Sequence, residues 1–176
     1  MGRKRRLAKP SANEKCTTER ETGQSCGSWR RGDILGGVTV TYEWRGEFDS
    51  AEVEALHAEG FGHEVFDYDW RGQVERHSLG WVCARDDDGL VGFVNVPWDG
   101  AGHAFILDTL VAARARRQGI GTRLVALATT EARAARCEWL HVDFDEELST
   151  FYYDSCGFKP APAGLIELQA SRESPA

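Results

Sequence analysis

The chain has 176 residues, 41% of them hydrophobic and 28% charged, enough for one domain with a buried core. Its net charge of −7 is unevenly divided: residues 1–37 hold nine Lys/Arg against four Asp/Glu, and residues 38–176 hold twelve against twenty-four. An acidic domain repels polyanions and draws cations, which argues against nucleic acid and for a cationic acceptor, although acidic surfaces also serve plain solubility.

No apolar stretch reaches the ~18 residues of a membrane span, and the N-terminus lacks the apolar middle of a signal peptide. The five cysteines, Cys16, Cys26, Cys83, Cys137 and Cys156, form no C-x-x-C pair. An odd set of scattered thiols predicts a reducing, cytoplasmic setting and no structural metal.

In chain order, residues 1–37 read as a disordered basic tail, rich in Ser, Thr, Gly and charge with almost no aliphatic run. Gly2-Arg3-Lys4-Arg5-Arg6 is a basic cluster within it, of the kind usually found on a solvated terminus. A folded domain is expected over 38–170, opening on the β-branched strand Val38-Thr39-Val40-Thr41-Tyr42. Asp49, with Glu52 three residues on, predicts a capped helix carrying Val53, Leu56 and His57 and ending at Gly60-Phe61-Gly62. A shorter helix is predicted over 69–77, with Trp70 and Val74 one turn apart.

A hairpin follows, with strands over 81–85 and 90–96 joined through Asp86-Asp87-Asp88-Gly89. Pro97-Trp98-Asp99-Gly100 breaks that run before a strand over about 103–111. After a glycine-bearing loop, a helix is predicted to about Arg136, then a strand over 139–144. Leu140, Val142 and Phe144 share one face of that strand; Trp139, His141 and Asp143 share the other. A helix over about 146–155 and a short strand over 165–168 complete the order β-α-α-β-β-β-α-β-α-β, a mixed α/β layer fold in a single domain.

The loop Arg116-Arg117-Gln118-Gly119-Ile120-Gly121 lies between a strand and a helix. Glycines there allow close backbone approach, and a helix start presents unpaired N–H groups to an anion. A P-loop would need Gly-Lys-Ser/Thr, and a dinucleotide fingerprint would need glycine where Leu124 stands. Neither fits. The remaining pattern, R-x-x-G-x-G after a strand ending in valine, resembles motif A of the GNAT acetyltransferase superfamily. About thirty residues on, Tyr152-Tyr153-Asp154-Ser155-Cys156-Gly157-Phe158 resembles that family's closing motif.

The resemblance implies an acetyl-coenzyme A-dependent N-acetyltransferase acting on a primary amine, on a small molecule or a peptide, by direct attack in a ternary complex. It implies a diphosphate cradle at Arg116, Arg117, Gln118, Gly119, Ile120, Gly121 and Thr122. It also implies main-chain hydrogen bonds at Val111 to pantetheine and the acetyl carbonyl, and a frequent homodimer. Tyr153, four residues before Gly157, takes the position of the family's general acid to the thiolate.

Asp108 stands where many members carry an acidic residue. A carboxylate in an apolar strand reads either as the general base or as part of a β-bulge. His141 and Asp143 are the reserve bases. In the family the first two helices shape the acceptor site. Here that segment offers His57, Phe61, His63, Phe66, Tyr68 and Trp70 with Glu59, Glu64, Asp67 and Asp69, a set that suits an organic cation or a helix–helix core.

Two positions depart from the family pattern: Ala112-Ala113 replaces the frequent x-Pro, and Asp145-Glu146-Glu147 replaces an asparagine that contacts pantetheine. A carboxylate accepts but cannot donate. The alternative class is a non-catalytic acyl-coenzyme A sensor or interaction module.

Overall fold

A computed structural model describes residues 31–35 and 38–168. Strands β1 (Arg31–Leu35), β2 (Val38–Trp44), β3 (Ser78–Asp86), β4 (Gly89–Pro97), β5 (His103–Val111) and β6 (Trp139–Val142) form one sheet in sequential order. All neighbours are antiparallel except β5 and β6, which run parallel. Helices α1 (Ser50–Phe61) and α2 (Trp70–His77) connect β2 to β3, and α3 (Ile120–Ala134) is the crossover from β5 to β6. The fold is the mixed α/β arrangement expected.

Local chemistry accounts for the helix ends. The Asp49 carboxylate accepts from Ala51 N–H at 2.9 Å, and Glu52 accepts from Asp49 N–H at 2.9 Å. Together they form the capping box read from the sequence. Gly62, at φ +73°, closes α1 in the left-handed conformation. Asp69 caps α2 by accepting from Gly72 N–H at 2.8 Å.

The sheet divides two layers. Trp70 of α2 packs edge-on to Phe93 of β4, and Leu110 of β5 lies under Gly60 of α1. On the opposite face, Gly92 of β4 lies against Leu124 and Ile120 of α3. Val53, Val74, Phe93, Ile106, Ile120 and Leu124 are at most 1% exposed and form the centre of the core.

Four expectations are corrected. Residues 31–35, assigned to the tail, form β1, which pairs with β2 from Arg31↔Tyr42 to Leu35↔Val38. Residues 1–30, with Cys16, Cys26 and the basic cluster, lie outside the described residues. The strand expected over 165–168 is absent: Leu165, Ile166 and Leu168 are 84%, 85% and 91% exposed. Apolar residues alone do not make a strand without a ladder partner.

The helix expected over 146–155 is a 3-10 turn at Glu146–Leu148 followed by a π-helical turn at Thr150–Ser155. Its aromatic run packs on the chain to either side: Tyr152 on Phe144 and Phe158, with ring centroids 4.6 and 5.9 Å away. The wide turn serves that packing. Strand β6 ends at Val142 rather than 144.

Glu54 holds α1 to the segment leading into α2. It is 3% exposed and accepts from Phe66 N–H at 2.9 Å and Trp70 Nε1–H at 2.8 Å. Those two bonds hold its carboxyl below the ordinary value of 4.5. Glu54→Ala is expected to cost about 2–3 kcal/mol in chemical denaturation, because the buried Trp70 Nε1–H and the part-buried Phe66 N–H lose a charged acceptor. The folded-state value is depressed, so the contribution is complete above the unfolded carboxyl range and fades as pH falls through the folded value. Wild type and variant should therefore converge in stability toward low pH.

Candidate active site

The β5–β6 ladder stops at Ile106↔Val142, while β5 runs on to Val111. One cause lies in β5 itself. Phe93 pairs with Leu110 and Asn95 with Leu107, so Asp108 and Thr109 together oppose the single residue Val94. This is a β-bulge, with Asp108 at φ +52°, and a bulge bends its strand. Beyond the bulge β5 and the chain after β6 diverge. The gap is a cleft of about 790 Å³, lined on one side by Thr109, Leu110 and Val111 and on the other by Thr150, Phe151 and Tyr152.

The start of α3 closes one end of the cleft. Arg116, Arg117, Gly119, Ile120, Gly121 and Thr122 all line it. Gly119 is the N-cap, at φ +81°, and no side chain caps the helix. The first N–H groups of α3 thus have neither an intrahelical acceptor nor a cap. Arg117, at φ +65°, and Gly119 curl the loop around that end. Helix dipole, unpaired donors and two arginines are chemistry that suits an anion. Arg116 Nε donates to Val111 O at 3.0 Å, fixing the loop to the end of β5. Gln118 turns away, its amide donating to Arg114 O at 3.4 Å.

Gly121 serves a purpose other than ligand approach. A Cβ there would lie 3.1 and 3.2 Å from ring carbons of Phe151 and 3.7 Å from Val111 Cγ2. Its missing side chain lets α3 come close to the π-helical turn across the cleft floor.

The expected catalytic side chains separate. Asp108 is not in the lining but one residue from Thr109, with its side chain 20% exposed. Burial raises its carboxyl above 3.8, while Asn95 and His57 pull the other way. Both readings of Asp108 therefore meet in one residue: it forms a bulge, and it is a perturbed carboxyl beside the cleft. His141 is exposed on the sheet face, where it pairs with His103 at 2.8 Å and stacks on Phe105. Asp143 is exposed as well. Neither lines the cleft.

Tyr153 also lies outside the lining, packed edge-on to Phe144 at 5.3 Å. Tyr152, expected to point to the core, does so and reaches the cleft too. Burial pushes its hydroxyl above 10, partly offset by the neighbouring Thr109 hydroxyl. Thr109 Oγ1 is buried and makes no hydrogen bond of normal geometry. A buried polar atom of this kind calls for a partner.

Sequence reasoning missed Thr109, Phe151, Tyr152 and Asn95 as site residues. Only Asn95 carried a signal, as the lone amide in an apolar strand. Of the acceptor-side carboxylates, Glu59 accepts from Ala113 N–H at 2.9 Å and Asp69 caps α2, so both serve the fold.

A split in the sheet closed at one end by an uncapped helix start is a feature of the fold that the comparisons place in a known family. The acetyltransferase (GNAT) family model matches residues 39–158, and the chain belongs to that family. It resembles a GNAT-family acetyltransferase from Streptococcus pneumoniae at 25% identity and a TM-score of 0.57, over 75% of this chain and 98% of that one.

The fold is also shared with glucosamine-6-phosphate N-acetyltransferase from Arabidopsis thaliana, at 16% identity and a TM-score of 0.57 over 72% and 97% of the two chains. A third is an aminoglycoside acetyltransferase from an uncultured soil metagenomic sample, at 18% and 0.58 over 75% and 95%. A search of curated proteins gave no match. Among the described residues, no group of three or more His, Cys, Asp or Glu could hold a metal, and no helix is long and apolar enough to cross a membrane.

Proposed function

We propose that the protein transfers the acetyl group of acetyl-coenzyme A to a primary amine by direct attack in a ternary complex. The observation that carries this is the cleft itself, where β5 outruns β6 and meets the uncapped start of α3. The residues fit such a donor. The N–H groups at the start of α3, with Arg116 and Arg117, hold the diphosphate. The unladdered edge of β5 over 107–111 offers main-chain groups to an extended amide chain. The co-substrate supplies an acyl group activated as a thioester.

Asp108 takes the proton of the acceptor's ammonium, and its raised affinity for protons suits a base. The Tyr152 hydroxyl, kept protonated by burial, supplies a proton to the leaving sulfur. Glu147 in the lining and the acidic balance of residues 38–176 favour a cationic acceptor. Phe61 lines the cleft, and the segment that follows it exposes Val65, Phe66 and Tyr68, an apolar and aromatic surface. The free thiols Cys83, Cys137 and Cys156 suit a reducing cytoplasm.

The test is thiol release from acetyl-coenzyme A across a panel holding an arylalkylamine, a polyamine, an aminoglycoside and a peptide amine. Amine-dependent release is expected for at least one class. Saturable binding without release from any would favour the second reading, a non-catalytic acyl-coenzyme A module, which the carboxylate of Glu147 in the cleft recommends.

A further inference from the structure

Asp108 is one end of a chain of side chains that leads away from the cleft to the α1–α2 surface. On one flank, Asn95 Nδ2 is 3.4 Å from Asp108 Oδ2. Ser78 Oγ donates to Asn95 Oδ1 at 2.6 Å, which fixes the amide with its NH₂ toward Asp108. On the other flank, His57 Nε2 is 3.8 Å from Asp108 Oδ1. His57 Nδ1 is 2.6 Å from His63 Nε2, and His63 Nδ1 is 2.6 Å from Glu64 O.

The end of this chain sets its protons. A carbonyl oxygen only accepts, so His63 Nδ1 carries hydrogen. In the neutral ring His63 Nε2 is then an acceptor, and His57 Nδ1 must donate to it. Neutral His57 is left with a bare Nε2 facing Asp108. Phe61 and Trp70 pack against its ring, at 4.5 and 5.0 Å between centroids, and hold that orientation. The groups facing this pair are Asn95 from β4, Glu54 from α1 and His63 from the following loop. Of these, Glu54 is the other carboxylate, and it feels both histidines.

Resting on the reading of Asp108 as base, we propose that His57 is the proton partner of Asp108, held in its accepting tautomer by His63. The acceptor ammonium gives a proton to the Asp108 carboxylate. The resulting carboxylic acid passes it to His57 Nε2 through one water spanning the 3.8 Å between them, restoring the carboxylate and forming an imidazolium. His57, with its side chain 24% exposed, then returns the proton to water. His57 acts through Asp108, and His63 positions His57.

Two measurements test this. Long-range ¹H–¹⁵N spectra of the free protein above the imidazole titration should show His57 protonated at Nδ1 and bare at Nε2. In His63→Leu that preference should be lost. Independently, with the fastest amine of the panel, His57→Gln should lower the kcat/KM plateau by about tenfold or more. It should also move the acid limb to lower pH, because Asp108 then binds the first proton alone. A His57 ring protonated at Nε2 in wild type, or a His57→Gln profile with plateau and limb unmoved, would overturn the pairing. Absence of turnover on every amine would instead overturn the acetyl-transfer reading, while the ring spectra still decide the tautomer.

Discussion

Tyr152→Phe is expected to slow acetyl transfer by about 10²- to 10⁴-fold, the range of a lost general acid, with affinity for acetyl-coenzyme A unchanged. The ring packs against Phe144, Phe151 and Phe158, and phenylalanine keeps all three contacts, so the fold should survive. What is lost is a hydroxyl at the cleft wall beside Thr109, one that burial keeps protonated at neutral pH. Tyr153→Phe is the paired control. Its ring lies against Phe144 and outside the lining, so turnover should stay near wild type. Loss in Tyr153→Phe with Tyr152→Phe unaffected would return the acid to the family's motif position and contradict the geometry. Rate and affinity must be read separately, because a lost proton donor lowers kcat while a disturbed cleft raises KM.

Gly121→Trp is expected to abolish saturable binding of acetyl-coenzyme A. Even a Cβ at this position meets the Phe151 ring at 3.1 Å, and an indole would fill the gap between β5 and the π-helical turn. Overpacking of this kind costs about 1–3 kcal/mol, so the variant should remain folded with a lowered Tm. The diagnostic is the missing ligand-induced rise in Tm rather than the lower starting point. A variant that still gains wild-type stabilisation from the ligand would show that the cleft floor is not where the ligand lies.

Sequence alone reached a good part of this architecture. The capping box at Asp49 and Glu52, the hairpin at 86–89, the strand ending at Val111 and the uncapped glycine start of α3 each rest on residues close together in the chain. The parts that escaped depend on distant partners. The π-helical turn answers to where Phe144 and Phe158 lie, and Tyr152 rather than Tyr153 stands at the cleft wall. Strand β1 exists because β2 offers it an edge, while 165–168 has strand-like residues and no ladder. The bulge at Asp108 was one of two readings of an odd carboxylate, but its consequence, the opening between β5 and β6, is visible only once the register is known. In the sequence His57 and His63 read only as members of an aromatic segment. Nothing in their spacing announces a carboxylate forty-five or more residues away.

The most direct measurement is a calorimetric titration of the wild-type protein with acetyl-coenzyme A. Saturable, stoichiometric heat is the result this account predicts, from a cradle at the start of α3 and a cleft along β5. Absence of heat at millimolar ligand, with circular dichroism showing a folded protein, would contradict it.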